Sequence, residues 1–324
     1  MDTATPTWRA LTPADAAAVA RLLAAAEEVD ATGEHYDADD VAEEMADPTL
    51  DLARDTLAAV GPDGEVVGYG GLRGSAEVRD VDRIYLDGTV RPAARGEGLG
   101  RRILDWGLGR AAALHRAAHP SVPGALMLGV PDTVPSKEAL VRAAGFEPVR
   151  WWYDMRRDLA APLPPVPAVP AGLALVPYAP ERDEQLRQAH REAFAGHWGS
   201  TPPDEQRWRH WFTGSQAFRP DLSRLVLDGE EIAAYLNAYY YAAGTSATGM
   251  REGYIGQVGV RPGWRRRGLG GLLVAATLHG FADAGLDRAA LDVDTGNTTG
   301  ALGLYERAGF TVSHRAVTWT RPLA

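Results

Sequence analysis

Between Val260 and Leu273 the chain reads V-R-P-G-W-R-R-R-G-L-G-G-L-L, three consecutive arginines running into Gly268, Gly270 and Gly271. Glycines let a backbone pass close to something bulky. The amides that open a helix are donors without intrahelical partners, at the positive end of a dipole. Arg265, Arg266 and Arg267, with Gly268, Leu269, Gly270, Gly271 and Leu272, therefore form a candidate anion cradle of the kind that takes a diphosphate. Neither common phosphate fingerprint fits, because the stretch has no GxxxxGK[ST] and lacks the G-x-G-x-x-G spacing. It does contain R-x-x-G-x-G, Arg265 to Gly270. The plain alternative is a glycine turn with a solvated arginine cluster.

The flanks say which elements hold this loop. A period-two segment with Tyr254, Gln257 and Val258 precedes it, and an apolar run from Leu272 to Leu278 follows, so the order is strand, loop, helix. The same stretch occurs earlier as V-R-P-A-A-R-G-E-G-L-G-R-R-I-L, Val90 to Leu104, with Arg95, Gly98 and Gly100 standing 170 positions before Arg265, Gly268 and Gly270. Further on, A-A-G-F (Ala143 to Phe146) matches R-A-G-F (Arg307 to Phe310) at an offset of 164. A repeat this long means duplicated domains rather than a solenoid. Between the copies, residues 161–172 hold five prolines and no charge, a semi-rigid spacer. The expected domains are 1–160 and 173–324, joined by that linker.

Each half reads β, α, α, β, β, β, α, β, α, β. In the first, Trp8 to Leu11 is a strand, Thr12-Pro13-Ala14-Asp15 opens a helix to about Val29, and Ala38 to Met45 is a second helix. Strands at Leu57 to Val60 and Glu65 to Leu72 flank a Gly61-Pro62-Asp63-Gly64 turn. In the second half, Leu173 to Val176 restarts the pattern, followed by a helix from about Pro180 to Phe194 and strands at Leu225 to Leu227 and Ile232 to Tyr241. Such an order implies an α/β (α+β) fold, a mixed and partly antiparallel sheet flanked by helices.

Composition bounds the function. The 324 residues suit two domains of ordinary size, and 45% hydrophobic content supplies two cores. A formal charge of -10 argues against a general nucleic-acid binder. Without cysteine there are no disulfides, thiolate metal sites or cysteine nucleophiles, so any thioester chemistry uses a thiol supplied by a cofactor. The N-terminal residues show no secretory signal and no apolar run approaches 18 residues, so a cytoplasmic chain without a membrane span is expected.

The element order, the R-x-x-G-x-G loop and the closing A-G-F together resemble the GNAT N-acetyltransferase superfamily, over essentially all of both halves. The resemblance implies acetyl-coenzyme A with its pyrophosphate on the amides from Arg267 to Leu272. It places the pantetheine arm against strand four, near Val258, Gly259 and Val260. It assigns Asn297 to cofactor contact and Tyr305, in N-T-T-G-A-L-G-L-Y-E-R-A-G-F, to the leaving sulfur. The chemistry wants such a group, since amine attack on a thioester expels a thiolate that a nearby hydroxyl can protonate. In the first half the position of Tyr305 falls on Val141, and D-T-V-P offers no asparagine. That half is therefore expected to be catalytically degenerate, with Arg95, Gly96, Gly98 and Gly100 either a second cofactor cradle or scaffold.

The attacking amine must lose a proton. Where many superfamily members carry a glutamate on strand four, this chain has Tyr254, with Glu252 on the same face. Asp292, Asp294 and His197 are further candidates for the base. The aromatic stretch from Phe194 to Phe218, with His197, Trp198, Trp208 and Trp211, is either a substrate wall or a packing surface. His115 and His119 lack further ligands, and no metal is expected. The resulting expectation is a tandem acetyltransferase, monomer or homodimer, moving acetyl from acetyl-coenzyme A to a primary amine of a small molecule by direct attack in a ternary complex. A peptide or protein amine as acceptor, or an acyl-CoA-responsive module without turnover, are the alternatives.

Overall fold

The computed structural model describes residues 5–74, 77–297 and 300–323. In chain order the first half runs β1 (Thr7–Arg9), α1 (Ala16–Asp30), α2 (Ala38–Met45), α3 (Leu52–Asp55), β2 (Thr56–Val60), β3 (Val66–Arg73), β4 (Asp82–Val90), α4 (Leu99–Ala118), β5 (Gly124–Pro131), α5 (Pro135–Ala143) and β6 (Glu147–Asp158). The second half runs β7 (Leu173–Pro177), α6 (Asp183–Ala193), α7 (Glu205–Trp208), β8 (Arg224–Asp228), β9 (Glu231–Tyr240), α8 (Ala242–Thr248), β10 (Glu252–Val260), α9 (Leu269–Asp283), β11 (Arg288–Asp294), α10 (Ala301–Arg307) and β12 (Thr311–Pro322). The expected order holds in both halves, with the short helices α3 and α8 added and the aromatic stretch of the second half forming one α-helical turn, α7, that runs on as a π-helix over Arg209–Thr213.

The local reasons are legible. Asp37 caps α2 by accepting from the amides of Asp39 and Asp40, and Asp40 reaches back to the Asp37 amide. Strand β3 alternates buried and half-buried residues along its length, one face on the core and one on helices. Residues 161–172 form neither helix nor strand. They are no free spacer, because Leu163 packs on the second core and the Pro164 carbonyl is bonded by His279 at 3.0 Å.

The compact units do not follow the expected boundaries. Unit 1 joins Met1–Arg150 to Ala316–Ala324, and unit 2 is Trp151–Arg315. In unit 1 strands β1, β2, β3 and β4 are antiparallel neighbours, β4 and β5 are parallel, and β5 takes the Ala316 to Pro322 part of β12. In unit 2 strands β7, β8, β9 and β10 are antiparallel neighbours, β10 and β11 are parallel, and β11 takes the Trp152 to Asp158 part of β6. Each unit is thus completed by the last strand of the other half. Strand periodicity marks β6 and β12 as strands but carries no information about their partners. Exchange of identical elements between copies is a low-cost rearrangement.

The exchanged strands bring core residues with them. Met155 of β6 is 1% exposed among the apolar residues of unit 2, and Trp319 of β12 is 3% exposed among those of unit 1. The Arg142 guanidinium lies 5.0 Å from the centre of the Trp319 ring. Replacing Trp319 by Ala should cost about 3–5 kcal/mol. Hydrogen exchange checks the assignment: protection should fall in β4 and β5, far along the chain from residue 319, and stay unchanged in β9 and β10.

Candidate active site

Parallel pairing between β10 and β11 covers Glu252 to Tyr254 against Arg288 to Ala290, although β10 continues to Val260. A register shift between Ile255 and Gln257 bends β10 at that point. Gly256 permits it, because a Cβ there would lie 2.4 Å from the ring of Tyr239. The two strands therefore splay, and beyond Tyr254 the edge of β10 around Val258 has no ladder partner in β11. Unit 1 repeats the arrangement, with β4 and β5 paired over Asp82 to Tyr85.

The glycine-arginine loop opens at the mouth of this gap. After a turn of 3-10 helix at Pro262–Trp264, Gly268 stands at φ 76° as the N-cap of α9 and offers no side chain to the helix start. The first intrahelical bond closes from the Leu272 amide to the Gly268 carbonyl at 3.1 Å. The amides of Leu269, Gly270 and Gly271 precede it and point out of the helix start, the geometry of an anion cradle. Unit 1 has the same construction, with Gly98 at φ 87° capping α4. Arg265 and Arg95 serve the loop itself: each donates from Nε to the carbonyl that ends the preceding strand, Val260 at 3.1 Å and Val90 at 3.0 Å. Arg95 also pairs with Asp30 at 2.6 Å. Arg266 and Arg267 are exposed.

At the point where the strands part, the Tyr254 hydroxyl of β10 donates to Asp292 of β11. Tyr305 of α10, 8% exposed, stands beside this pair and packs edge-on to Phe310. Burial, and then the charge of Asp292, push both phenols above the ordinary tyrosine value. Both hydroxyls keep their protons at neutral pH, and Tyr254 donates to Asp292, the acceptor of the group. Glu252 is differently engaged, bonded to Arg288 at 2.5 Å and Arg156 at 3.1 Å. Both guanidiniums lie on the same oxygen, Oε2, of that carboxylate. Glu252, expected as a base, is thus engaged in ion pairs within unit 2.

The aromatic stretch divides. Trp208 is 1% exposed in a core with Leu186, Leu225, Ile232 and Tyr235, and its indole donates to Asp183 at 3.0 Å. It is a packing residue and not a substrate wall. His197 and Trp198 lie nearer the site: His197 Nε2 is 4.0 Å from the buried Asp294, and Trp198 tilts against Trp152 with centroids 6.4 Å apart. Trp211 packs edge-on against His210 at 4.8 Å. The Asn297 amide donates to the Asp294 carbonyl at 3.1 Å. Thr298 and Thr299 of the same motif lie outside the described residues. The position a Gly259 side chain would take is filled by the Tyr235 ring, so Gly259 offers backbone alone. Trp152 was not anticipated, since β6 belongs by sequence to the other half. His115, read as a poor metal candidate, is buried and bonded to Asp82 at 2.8 Å.

Unit 1 differs where the chemistry would be. Equivalent pairs in the two splayed ladders are Ile84 with Leu126 and Tyr254 with Ala290. Counting on from them, Tyr254, Asp292 and Tyr305 correspond to Ile84, Leu128 and Val141. All three are buried in one apolar cluster. A cavity of about 740 Å³ nevertheless lies in unit 1, bounded by the loop from Arg95 to Gly100 and by Asp87, Lys137 and Val141. Leu128 and Val141, the counterparts of Asp292 and Tyr305, are among its lining residues.

Unit 2 thus combines a splayed parallel pair, a helix start without a side-chain cap and a buried tyrosine near the point where the strands part. Residues 184–310 match the family described as Acetyltransferase (GNAT) family. The chain is 32% identical over 269 residues to a mycothiol acetyltransferase of Tsukamurella paurometabola, covering 81% of this chain and 87% of that one. It is 31% identical over 345 residues to the mycothiol acetyltransferase of Frankia alni, covering 98% and 95%. The crystal structure of a GCN5-related N-acetyltransferase from Sphaerobacter thermophilus superposes with a TM-score of 0.75 at 30% identity, covering 98% and 95%. The chain belongs to the GNAT acetyltransferase family, as a tandem member.

His190 gives this unit a pH dependence. It lies between Phe194, Trp208, Phe212 and Tyr235, with Nδ1 2.6 Å from the Tyr235 hydroxyl. Burial, and then the charge of His197, push it down to about 4 from 6.5. Between those values the unfolded chain binds a proton that the folded chain refuses, so stability is full above 6.5 and falls as pH drops towards 4. A tenfold change in proton affinity is worth about 1.4 kcal/mol, so the loss approaches about 3 kcal/mol. Urea denaturation from pH 7 to pH 4 should show a shallower decline for His190→Phe than for the unchanged chain; equal slopes would remove His190 as the cause.

Proposed function

We propose that unit 2 transfers an acetyl group from acetyl-coenzyme A to a primary amine of a small molecule. The observation that carries this reading is the Tyr254, Asp292 and Tyr305 group where β10 and β11 part, in the same unit as the uncapped amides of Leu269 to Gly271. Those amides and the edge of β10 are suited to the diphosphate and the amide-bearing arm of the donor, which supplies an acyl thioester. The relatives' name points to an acceptor of the mycothiol kind, and Trp198, Trp152 and His197 are placed to border it. Asp292 takes the proton from the attacking nitrogen, directly or through the Tyr254 hydroxyl. Backbone amides of β10 polarise the carbonyl, and Tyr305 donates its proton to the sulfur that leaves. Both tyrosines, held protonated by burial, are in the state this division of labour requires.

The loop of unit 1 has the same backbone geometry and opens on a cavity, which supports a second acyl-CoA cradle there. Its Ile84, Leu128 and Val141 hold no proton to give and accept none, so we assign turnover to unit 2 alone.

Thiol release from acetyl-coenzyme A across a panel of small amines tests the activity, and binding without release would sink it. Tyr305→Phe should lower kcat at least about tenfold, with little change in the Kd for coenzyme A. Asp292→Asn should lower kcat/KM by about 10²–10⁴, the worth of a positioned proton acceptor. Glu252→Gln should instead lower the melting temperature, through its two lost ion pairs, with kcat nearly unchanged. The reverse pattern, a lost kcat in Glu252→Gln and an unaffected Asp292→Asn, would move the base to Glu252.

A further inference from the structure

Of the 33 lysines and arginines in the chain, one is a lysine, Lys137. It lines the unit 1 cavity from the first turn of α5. Every other basic side chain ends in a guanidinium, which stays protonated at any pH the folded chain meets. An ammonium on a flexible stem is the one of the two that can give up its proton and become a nucleophile. Where charge alone is needed arginine serves, and arginine is what this chain uses. The exception stands inside a cavity.

The surroundings of Lys137 make its ammonium easier to deprotonate than a solvent-exposed one. Burial pushes the ammonium below its ordinary value, helped by Arg95 and opposed by Asp87, Glu34 and Asp30. A cation in the first turn of a helix also lies at the wrong end of the dipole. Two of the opposing carboxylates already hold arginines, Asp87 with Arg73 at 3.1 Å and Asp30 with Arg95 at 2.6 Å.

Position along the helix supplies the geometry. Val141 is the counterpart of Tyr305, the residue we place at the leaving sulfur in unit 2. Lys137 precedes Val141 by four residues on the same helix face, where Cβ atoms are about 5–6 Å apart, within the reach of a lysine side chain. The counterpart of Lys137 in unit 2 is Ala301, which has no amine.

We propose that Lys137 is an acyl-acceptor site, its amine taking the acyl group from a thioester held in unit 1. The inference rests on the reading of the Arg95 to Gly100 loop as an acyl-CoA cradle. The neutral nitrogen attacks the carbonyl carbon, a C–N bond forms and the C–S bond breaks. The proton shed by nitrogen passes by way of the Asp87 carboxylate to the departing thiolate, leaving an Nε-acyl-lysine and free coenzyme A. The amide has no further acceptor, so the reaction runs once per chain and leaves the cavity occupied.

The single lysine makes the test direct. The full chain is incubated with acetyl-coenzyme A and followed by intact mass, with peptide mapping to separate Lys137 from the N-terminal amine. The expected result is one acetyl group on Lys137, formed at least about tenfold faster than on the same lysine in the urea-unfolded chain. Lys137→Arg, which keeps the charge, should carry none there. Native mass spectrometry with coenzyme A itself counts bound molecules, and two per chain are expected. Two bound with Lys137 unmodified, or modified no faster than in urea, would overturn the acyl-acceptor role and leave the cradle standing. A single coenzyme A, retained by unit 2, would remove the cradle and the inference with it. Thiol release to external amines, measured on the same sample, reports separately on unit 2.

Discussion

Strands β10 and β11 are hydrogen-bonded over Glu252 to Tyr254 and then separate. Parallel strands inside a sheet normally saturate each other's backbone groups, and a buried amide or carbonyl left without a partner costs about 1–3 kcal/mol. A sheet that opens between two interior strands is therefore a sheet built to accept backbone-like groups from elsewhere. Everything else in the unit is arranged about the opening. The Tyr239 ring leaves room for glycine alone at residue 256, the bend that results swings β10 aside, and α9 begins where the gap is widest. Tyr254 and Asp292 stand at the apex, on opposite strands, and can meet because those strands have just stopped pairing.

The sequence made the loop and its copy visible because they are conformational signals. Glycines at 98 and 268 mark left-handed residues whatever the rest of the fold does, and two copies in fixed register are hard to mistake. Tyr305 was legible through its motif. What stayed hidden is whatever depends on partners remote in the chain. Nothing in the pattern of residues 147–158 says that they line up against β11 rather than a strand of their own half, and Trp152 follows them. Trp208 reads the same way in sequence as Trp198, yet one is core and the other half-buried near His197. Glu252 and Asp292 were both acids near the right place. Their difference lies in neighbours, two guanidiniums for the first and a phenol for the second. Local spacing carries no trace of those contacts.

Comparison of the two units separates what the fold supplies from what side chains supply. The cradle is backbone: a strand end, an arginine returning to the last strand carbonyl, a left-handed glycine and a helix start. It survives in both copies. The apex is side chain, and Tyr254, Asp292 and Tyr305 against Ile84, Leu128 and Val141 is a complete exchange of polar for apolar. In unit 1 those three join the core and strengthen it by burial. On the proposed reading, binding and reaction are separable in this fold because different atoms perform them.

Arg266 shows how firmly the backbone part is held. It occupies the position of Gly96, and the two have nearly the same conformation, φ 63° and 81°. A residue with a side chain in the left-handed region gives up about 1–2 kcal/mol that glycine would not. The loop of unit 2 keeps its course all the same, because Arg265 on one side is tied to the carbonyls of Val260 and Ala193 and Gly268 on the other must open α9. The amides of Leu269 to Gly271 consequently point where they do through constraints at both ends of the loop, with residue 266 conforming to them. Residue 266 thus keeps a left-handed backbone with its side chain exposed to solvent.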